Sequence, residues 1–357
     1  MRRGAAGEKT KLIVREREPG NLEYPFEQLS AAVGVEGRLT ANEMFYVRSH
    51  FAVPQVDLGA HRLSVEGCVE KAFSVSVEEL RAMPAVRRVA TVECAGNGRA
   101  FLEPAVKGVQ WGLGAVGTAE WTGVPLSALL KRAGVKAGAL EIVLEGADRG
   151  RVVEGEIEYA RSVGMGAADS VLIAYAMNGE AITEEHGAPL RAVVQGHYGM
   201  ASVKWLTKVR VVDEVFRGYW QTSDYAYWKE SAGQRVLMPL GEMALKSSIA
   251  RPRAGEVVRV GERYEVFGAA WTGGAAIAMV EVSVDGGKTW GPAEILDADE
   301  YGVWRRWRFM WEPKGAGECV LMSCATDVEG KMQAAAHDKN YGSYVINHTV
   351  RIAVMVR

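Results

Sequence analysis

The 357-residue chain is first constrained by what it lacks. Its four cysteines, Cys68, Cys94, Cys319 and Cys324, form no C-x-x-C pair and no C-x-x-C-H motif. Covalent haem attachment and the common zinc and iron–sulfur spacings are therefore not expected. No apolar run is long enough to cross a bilayer as a helix. The pair Arg2-Arg3 is followed by polar and charged residues rather than an apolar segment, so no export signal is read and the chain is expected to be cytoplasmic. An export signal ahead of these residues would make it periplasmic. Disulfides are not expected in a cytoplasmic chain. The net charge is −2, from 42 basic and 44 acidic residues. That balance leaves no basic footprint for nucleic acid or an anionic membrane surface. There is no internal repeat and no low-complexity tract.

What remains is ordinary for a globular protein, with 48% hydrophobic and 24% charged residues. The length suffices for two domains. Residues 1–41 are charged and glycine-punctuated and are expected to form an extended N-terminal arm. Residues 42–245 mix short strands and helices. Val77–Arg81 reads as a helical turn, and residues 125–134 read as a helix with Pro125 at its start and Gly134 at its end. Strands are expected over 86–92, 141–144, 171–176, 190–194 and 203–212. Residues 246–357 carry short strands with period-two alternation, such as Val280, Val282 and Val284, and the turn Asp285-Gly286-Gly287-Lys288. The expectation is an α+β chain: a mixed α/β domain, a linker near 238–248, then a β-sandwich.

Chemistry concentrates in Glu93-Cys94-Ala95-Gly96-Asn97-Gly98-Arg99. A cysteine here lies at a strand end, in a glycine-rich loop, with an arginine five residues on. Glycine lets backbone approach a bulky ligand. A nearby cation favours thiolate, the form that ligates metal. Alone, such a cysteine would read as a buried small hydrophobe. Gly112-Leu113-Gly114-Ala115-Val116-Gly117 matches G-x-G-x-x-G, but Gly123 and Pro125 interrupt any following helix, so a dinucleotide site is rejected. Arg305 shares a strand face with Trp307, Phe309 and Trp311, where it needs an anion or an internal acid as partner.

Several segments, in order, resemble the sulfite oxidase family of molybdopterin enzymes. They are the Cys94 loop, Phe45-Tyr46-Val47-Arg48-Ser49-His50, Trp111 through Trp121-Thr122-Gly123, Asp148, Leu172 to Glu180, His186-Gly187-Ala188-Pro189-Leu190-Arg191, and Gly199-Met200-Ala201-Ser202-Val203-Lys204-Trp205. The resemblance extends through the C-terminal region, where Ala270-Trp271-Thr272-Gly273-Gly274 looks like the family's dimerisation domain. It implies a molybdopterin-binding domain of the sulfite oxidase fold, followed by an immunoglobulin-like β-sandwich.

By the same resemblance Cys94 ligates molybdenum. Tyr46, Arg48, Ser49, His50, Asp148, His186, Arg191, Ser202, Val203 and Lys204 hold the molybdopterin. Arg48, Arg99, Trp111, Tyr175 and Arg305 form the substrate pocket. Ser49 stands where the family has asparagine, and Asp148 also reads as an ordinary loop acid. The implied activity is oxidation of sulfite, or a related sulfur oxyanion, to sulfate by oxygen-atom transfer. Electrons then pass to an external acceptor, cytochrome c or oxygen, since the segment before residue 42 is too short for a b-type haem domain. A homodimer is expected through the second domain. The alternatives are a sulfane-sulfur dehydrogenase subunit, a sulfoxide reductase, which generally lacks the second domain, and a non-catalytic binding protein.

Overall fold

The computed structural model describes residues 12–32 and 35–357. Part of the expected arm, residues 1–11 with 33 and 34, lies outside the described residues. The rest of it is tied to the first domain. Asn21–Glu23 pairs with Ile13–Glu16 on one side and Val47–Arg48 on the other. The buried Glu23 carboxylate accepts the backbone N–H groups of Gly112 at 3.0 Å and Gly114 at 2.8 Å. The glycine-rich segment thus forms a clamped loop, and it runs into the strand Val116–Pro125 rather than a helix.

Two five-stranded sheets dominate the first domain. One pairs Val86–Glu93 with Val116–Pro125 and Val116–Pro125 with Val171–Met177, all antiparallel, and Arg191–Val194 joins the last of these. The other centres on Leu206–Val212, which runs parallel to Arg62–Gly67 and antiparallel to Glu141–Val152. Strands that bury one or both faces suit the β-branched runs in these segments. Helices are few. Val77–Arg81 opens with a capping box, Ser76 and Glu79 each bonding the other's backbone. Leu126–Ala133 starts after Pro125 and stops at Gly134, whose φ of 68° suits glycine.

The second domain is a β-sandwich of a four-stranded and a five-stranded sheet. Its core is separate, built from Val266, Ile277, Val280, Val282, Trp307, Trp311, Leu321 and Val354 among others. The expected linker is ordered and packed. Leu240, Met243 and Leu245 are buried, and Lys246–Arg251 is already the first sandwich strand.

The domains join directly behind the Cys94 loop. Lys246 Nζ donates to Glu93 Oε1 at 2.9 Å and to the Asn97 carbonyl at 2.9 Å, and Trp271 Nε1 donates to Glu93 Oε2 at 2.8 Å. Both members of this ion pair are only 2% exposed. The Val345 N–H donates to the Ala95 carbonyl at 2.8 Å. The loop therefore has its back against the second domain and its free face toward the first.

Candidate active site

That free face opens into a cleft lined by Cys94, Tyr46, Arg48, Ser49, His50, Asp148, Tyr159, His186, Arg191, Ser202, Lys204 and Tyr225. The strand Val86–Glu93 delivers Cys94 to the inner wall, where its N–H donates to the Ala115 carbonyl at 2.8 Å. The thiol is free and buried.

The opposite end is cationic. Arg191 is buried and donates to the carbonyls of His186 at 3.0 Å and Ser202 at 3.2 Å, with its guanidinium 4.9 Å above the Trp121 ring. Its Nε has no partner. Burial lowers its pKa to about 10. Lys204 Nζ donates to Ser49 Oγ at 3.0 Å and the Glu185 carbonyl at 2.8 Å. Burial first, then Arg191, push its pKa down to about 7, against a pull from Asp148. Asp148 is itself raised to about 6, mainly by burial, and its Oδ1 is buried without a partner. Neither Arg191 nor Lys204 makes a carboxylate ion pair within 4 Å among the described residues, although buried cations normally do.

Histidines here are held neutral. Burial, aided by Arg191, lowers His186 to about 4, and its Nε2 lies 3.2 Å from the Asn42 carbonyl. Burial first, then Arg48 and Lys204, push His50 well down. Its Nε2 is 2.6 Å from Tyr225 Oη, and its ring stacks on Tyr159. Arg48 donates to the Ser49 carbonyl and, at 3.2 Å, to Asn21 Oδ1.

Five expected residues sit elsewhere. Arg99 is buried beside the cleft, donating to the carbonyls of Val109 at 2.7 Å and Ser343 at 2.9 Å. It lies close enough to Tyr225 and Asp224 to act on their charge. The two glycines around it are functional in packing: a Cβ at Gly108 would meet its guanidinium at 2.7 Å, and one at Gly96 would overlap it. Trp111 is fully buried behind the wall, in the cluster of Cys94 and Tyr46, with its ring 6.4 Å from that of Tyr46. Val203 is likewise core, and its backbone N–H and C=O are both used within the protein.

Tyr175 and Arg305 are corrections. In the strand Val171–Met177, Leu172 and Ala174 face the Cys94 cluster. Ile173 and Tyr175 face the other core. Regular strand alternation thus puts Tyr175 beside Ile173, with the Arg81 guanidinium 5.6 Å from its ring. At the cleft stand Tyr225, Tyr46 and Tyr159 instead. Arg305 stays within the sandwich, donating to the carbonyls of Ile277 at 2.7 Å and Asp297 at 3.1 Å, with Asp299 at 3.8 Å. Its own domain satisfies it.

Sequence reading missed Tyr159, Asp224, Tyr225 and Tyr344. The aromatic density of Phe216, Tyr219, Trp220, Tyr225, Tyr227 and Trp228 was the available signal. A π-helical turn, Trp220–Asp224, ends at Tyr225. Such turns recur at functional sites. Arg161 fixes it by donating to the Trp220 and Leu240 carbonyls.

The residues present fit a metal–pterin group with a phosphate tail. One thiol can ligate, and among the described residues no group of three or more His, Cys, Asp or Glu could hold an ion by itself. The orphaned Asp148 oxygen suits N–H donors of a pterin, and Arg191, with its free Nε, and Lys204, neither facing a carboxylate among the described residues, suit a phosphate.

Comparison with known proteins agrees. Residues 50–220 match the oxidoreductase molybdopterin binding domain, and residues 238–353 match the Mo-co oxidoreductase dimerisation domain. The chain is 36% identical to a sulfite oxidase of Gallus gallus over 88% of its own length and 70% of that protein. It is 34% identical to the mitochondrial sulfite oxidase of Homo sapiens, again over 88% of its length but only 60% of the relative. Among solved structures, the sulfane dehydrogenase SoxCD of Paracoccus pantotrophus superposes with a TM-score of 0.81 at 28% identity, covering 96% of this chain and 87% of that one. With both domains matched in this order, the chain belongs to the sulfite oxidase family and is a molybdenum oxidoreductase, a molybdopterin-binding α/β domain followed by a β-sandwich.

Proposed function

We propose that the chain oxidises sulfite to sulfate and passes the electrons to an external acceptor, cytochrome c or oxygen. The observation that carries this reading is the cleft itself, lined by the Cys94 thiol, Arg48, the buried Arg191 and the half-buried Lys204, with neither of the last two facing a carboxylate within 4 Å among the described residues. A molybdenum–pterin group bound there supplies the two-electron, oxygen-transfer chemistry that side chains lack. The chain's own residues do the rest. Cys94 holds the metal. Arg191, Lys204 and Ser202 hold the phosphate, while Asp148 accepts from the pterin. Arg48, with Arg99 behind it, draws in an oxyanion, because fixed cations act strongly where water is scarce. Tyr225, bonded to His50, offers an O–H toward the substrate oxygen. The sandwich forms the contact between two copies of the chain, in keeping with its match to a dimerisation domain.

A second reading, oxidation of sulfane sulfur with a cytochrome partner, draws support from the structural match over 96% of the chain. Metal analysis of protein purified from cells able to make the cofactor separates the two, together with sulfite-dependent reduction of ferricyanide and of cytochrome c. One molybdenum per chain with sulfite turnover supports the first. Molybdenum without sulfite turnover moves the substrate to sulfane sulfur. Protein without molybdenum refutes both.

A further inference from the structure

The second domain sends one side chain to the edge of the cleft, and it is not an arginine. Tyr344 lies between Arg99 and Tyr225. Its ring is 5.4 Å from the Arg99 guanidinium carbon and 4.9 Å from the Tyr225 ring. Its Oη donates to Asp224 Oδ1 at 3.0 Å. The neighbouring Ser343 carbonyl takes the Arg99 Nε–H at 2.9 Å, so one loop of the second domain both aims Arg99 and covers it.

Asp224 is the unusual member. It makes no ion pair within 4 Å among the described residues, yet Arg48, Arg99 and Lys107 are near enough to act on it. The tyrosines around it are Tyr219, Tyr225 and Tyr344, and Arg161 acts from below. A carboxylate placed among the cations of an oxyanion pocket opposes what those cations attract. A site built only for a dianion gains nothing from it.

Taking the oxyanion pocket of the proposed function as its basis, we propose that Asp224 and Tyr344 form a charge-selecting wall. It lowers the pocket's preference for a dianion and favours sulfur substrates carrying a single negative charge. Tyr344 sets the strength of that selection by hydrogen bonding the carboxylate form of Asp224, which keeps the acid ionised. Neither residue is asked to take part in the chemistry; both act on which anion is held.

The test is equilibrium binding of sulfate, a dianion, by titration calorimetry on the molybdenum-loaded protein across the carboxylate range and up to pH 8, since burial raises the Asp224 carboxyl above its ordinary value. In the wild type, sulfate binding weakens as pH rises through the titration of Asp224. In Asp224→Asn this step disappears, and sulfate binds about tenfold more tightly at pH 8, as expected for removal of one nearby like charge. In Tyr344→Phe, which keeps the ring over Arg99 and against Tyr225, the step moves to higher pH, because the ionised form has lost a donor. Equal sulfate affinity in wild type and Asp224→Asn at pH 8 overturns the proposal, as does a Tyr344→Phe profile superimposed on that of the wild type. If Asp224→Asn fails to fold, the Tyr344→Phe profile alone decides. Sulfate binding that behaves as described in a protein unable to turn over sulfite would sink the proposed activity and leave the charge-selecting wall standing.

Discussion

Two buried arginines, one in each domain, show what separates a structural charge from a binding one. Arg306 in the sandwich is 1% exposed and faces Asp297, with Nε to Oδ2 at 2.9 Å and a terminal nitrogen to Oδ1 at 2.8 Å. Arg191 in the first domain is 5% exposed and, among the described residues, donates to carbonyls and lies over the Trp121 ring but meets no carboxylate, with Nε unpaired. Taking a guanidinium out of water costs several kcal/mol, and a fork-to-fork carboxylate offsets that cost. The sandwich carries its own counter-charge. The cleft does not, and Lys204 beside Arg191 repeats the pattern. An unanswered buried cation marks where a bound anion belongs.

The largest effect bearing on this contrast is at the thiol. Cys94→Ser should cut turnover by at least about a thousandfold, while the circular dichroism spectrum stays native and the cations remain able to hold the pterin phosphate. Normal turnover by this variant would show that the cleft is not where the metal sits. Next comes the arginine pair itself. Asp297→Ala leaves Arg306 buried without its carboxylate and should cost about 3–5 kcal/mol in urea unfolding. Arg191→Met in cofactor-free protein removes a charge that has no carboxylate to lose, and should cost less than about 1 kcal/mol while lowering the molybdenum content of the loaded protein. Equal costs for the two would erase the distinction.

The smallest effect is a pH dependence. Lys204 is held down to about 7 in the folded, cofactor-free protein, whereas an unfolded lysine titrates near about 10.4. Between those values the unfolded chain binds a proton that the folded chain does not, so stability rises with pH, by at most about 1.4 kcal/mol per unit. Unfolding of wild type and Lys204→Met from pH 7 to 9 should show the wild type gaining on the variant. A constant difference would mean that Lys204 stays charged and has a partner.

Local signals read well where the chain's own neighbours decide the outcome. Pro125 and Gly134 bound a helix because one lacks an N–H and the other accepts φ of 68°. The apolar run before Cys94 is a strand, Val86–Glu93, and the loop after it is glycine-rich because Arg99 needs the room. The segments around His186, Arg191, Ser202 and Lys204 converge on one cleft as their residue types suggest. The strand expected over 203–212 begins only at Leu206, because residues 202–205 line or back that cleft instead.

Failures came where distance in sequence is large. Tyr175 was singled out because its segment resembles the family's, but strand alternation puts it with Ile173 on the face away from the Cys94 cluster. Arg305 was placed in the pocket by resemblance, on a strand face whose alternation says nothing of what covers it. By itself, then, the sequence determined the two-domain order and the strand and helix types, which follow from residue-level propensity and spacing, whereas Cys94 was singled out by its segment's resemblance to a family, since alone it reads as a buried small hydrophobe. Only the tertiary structure decided that Glu93 meets Lys246, that Tyr344 meets Asp224 across 120 residues, and that Arg191 meets no acid among the described residues. Such pairings depend on which surfaces the packed sheets bring together, and no local preference encodes them.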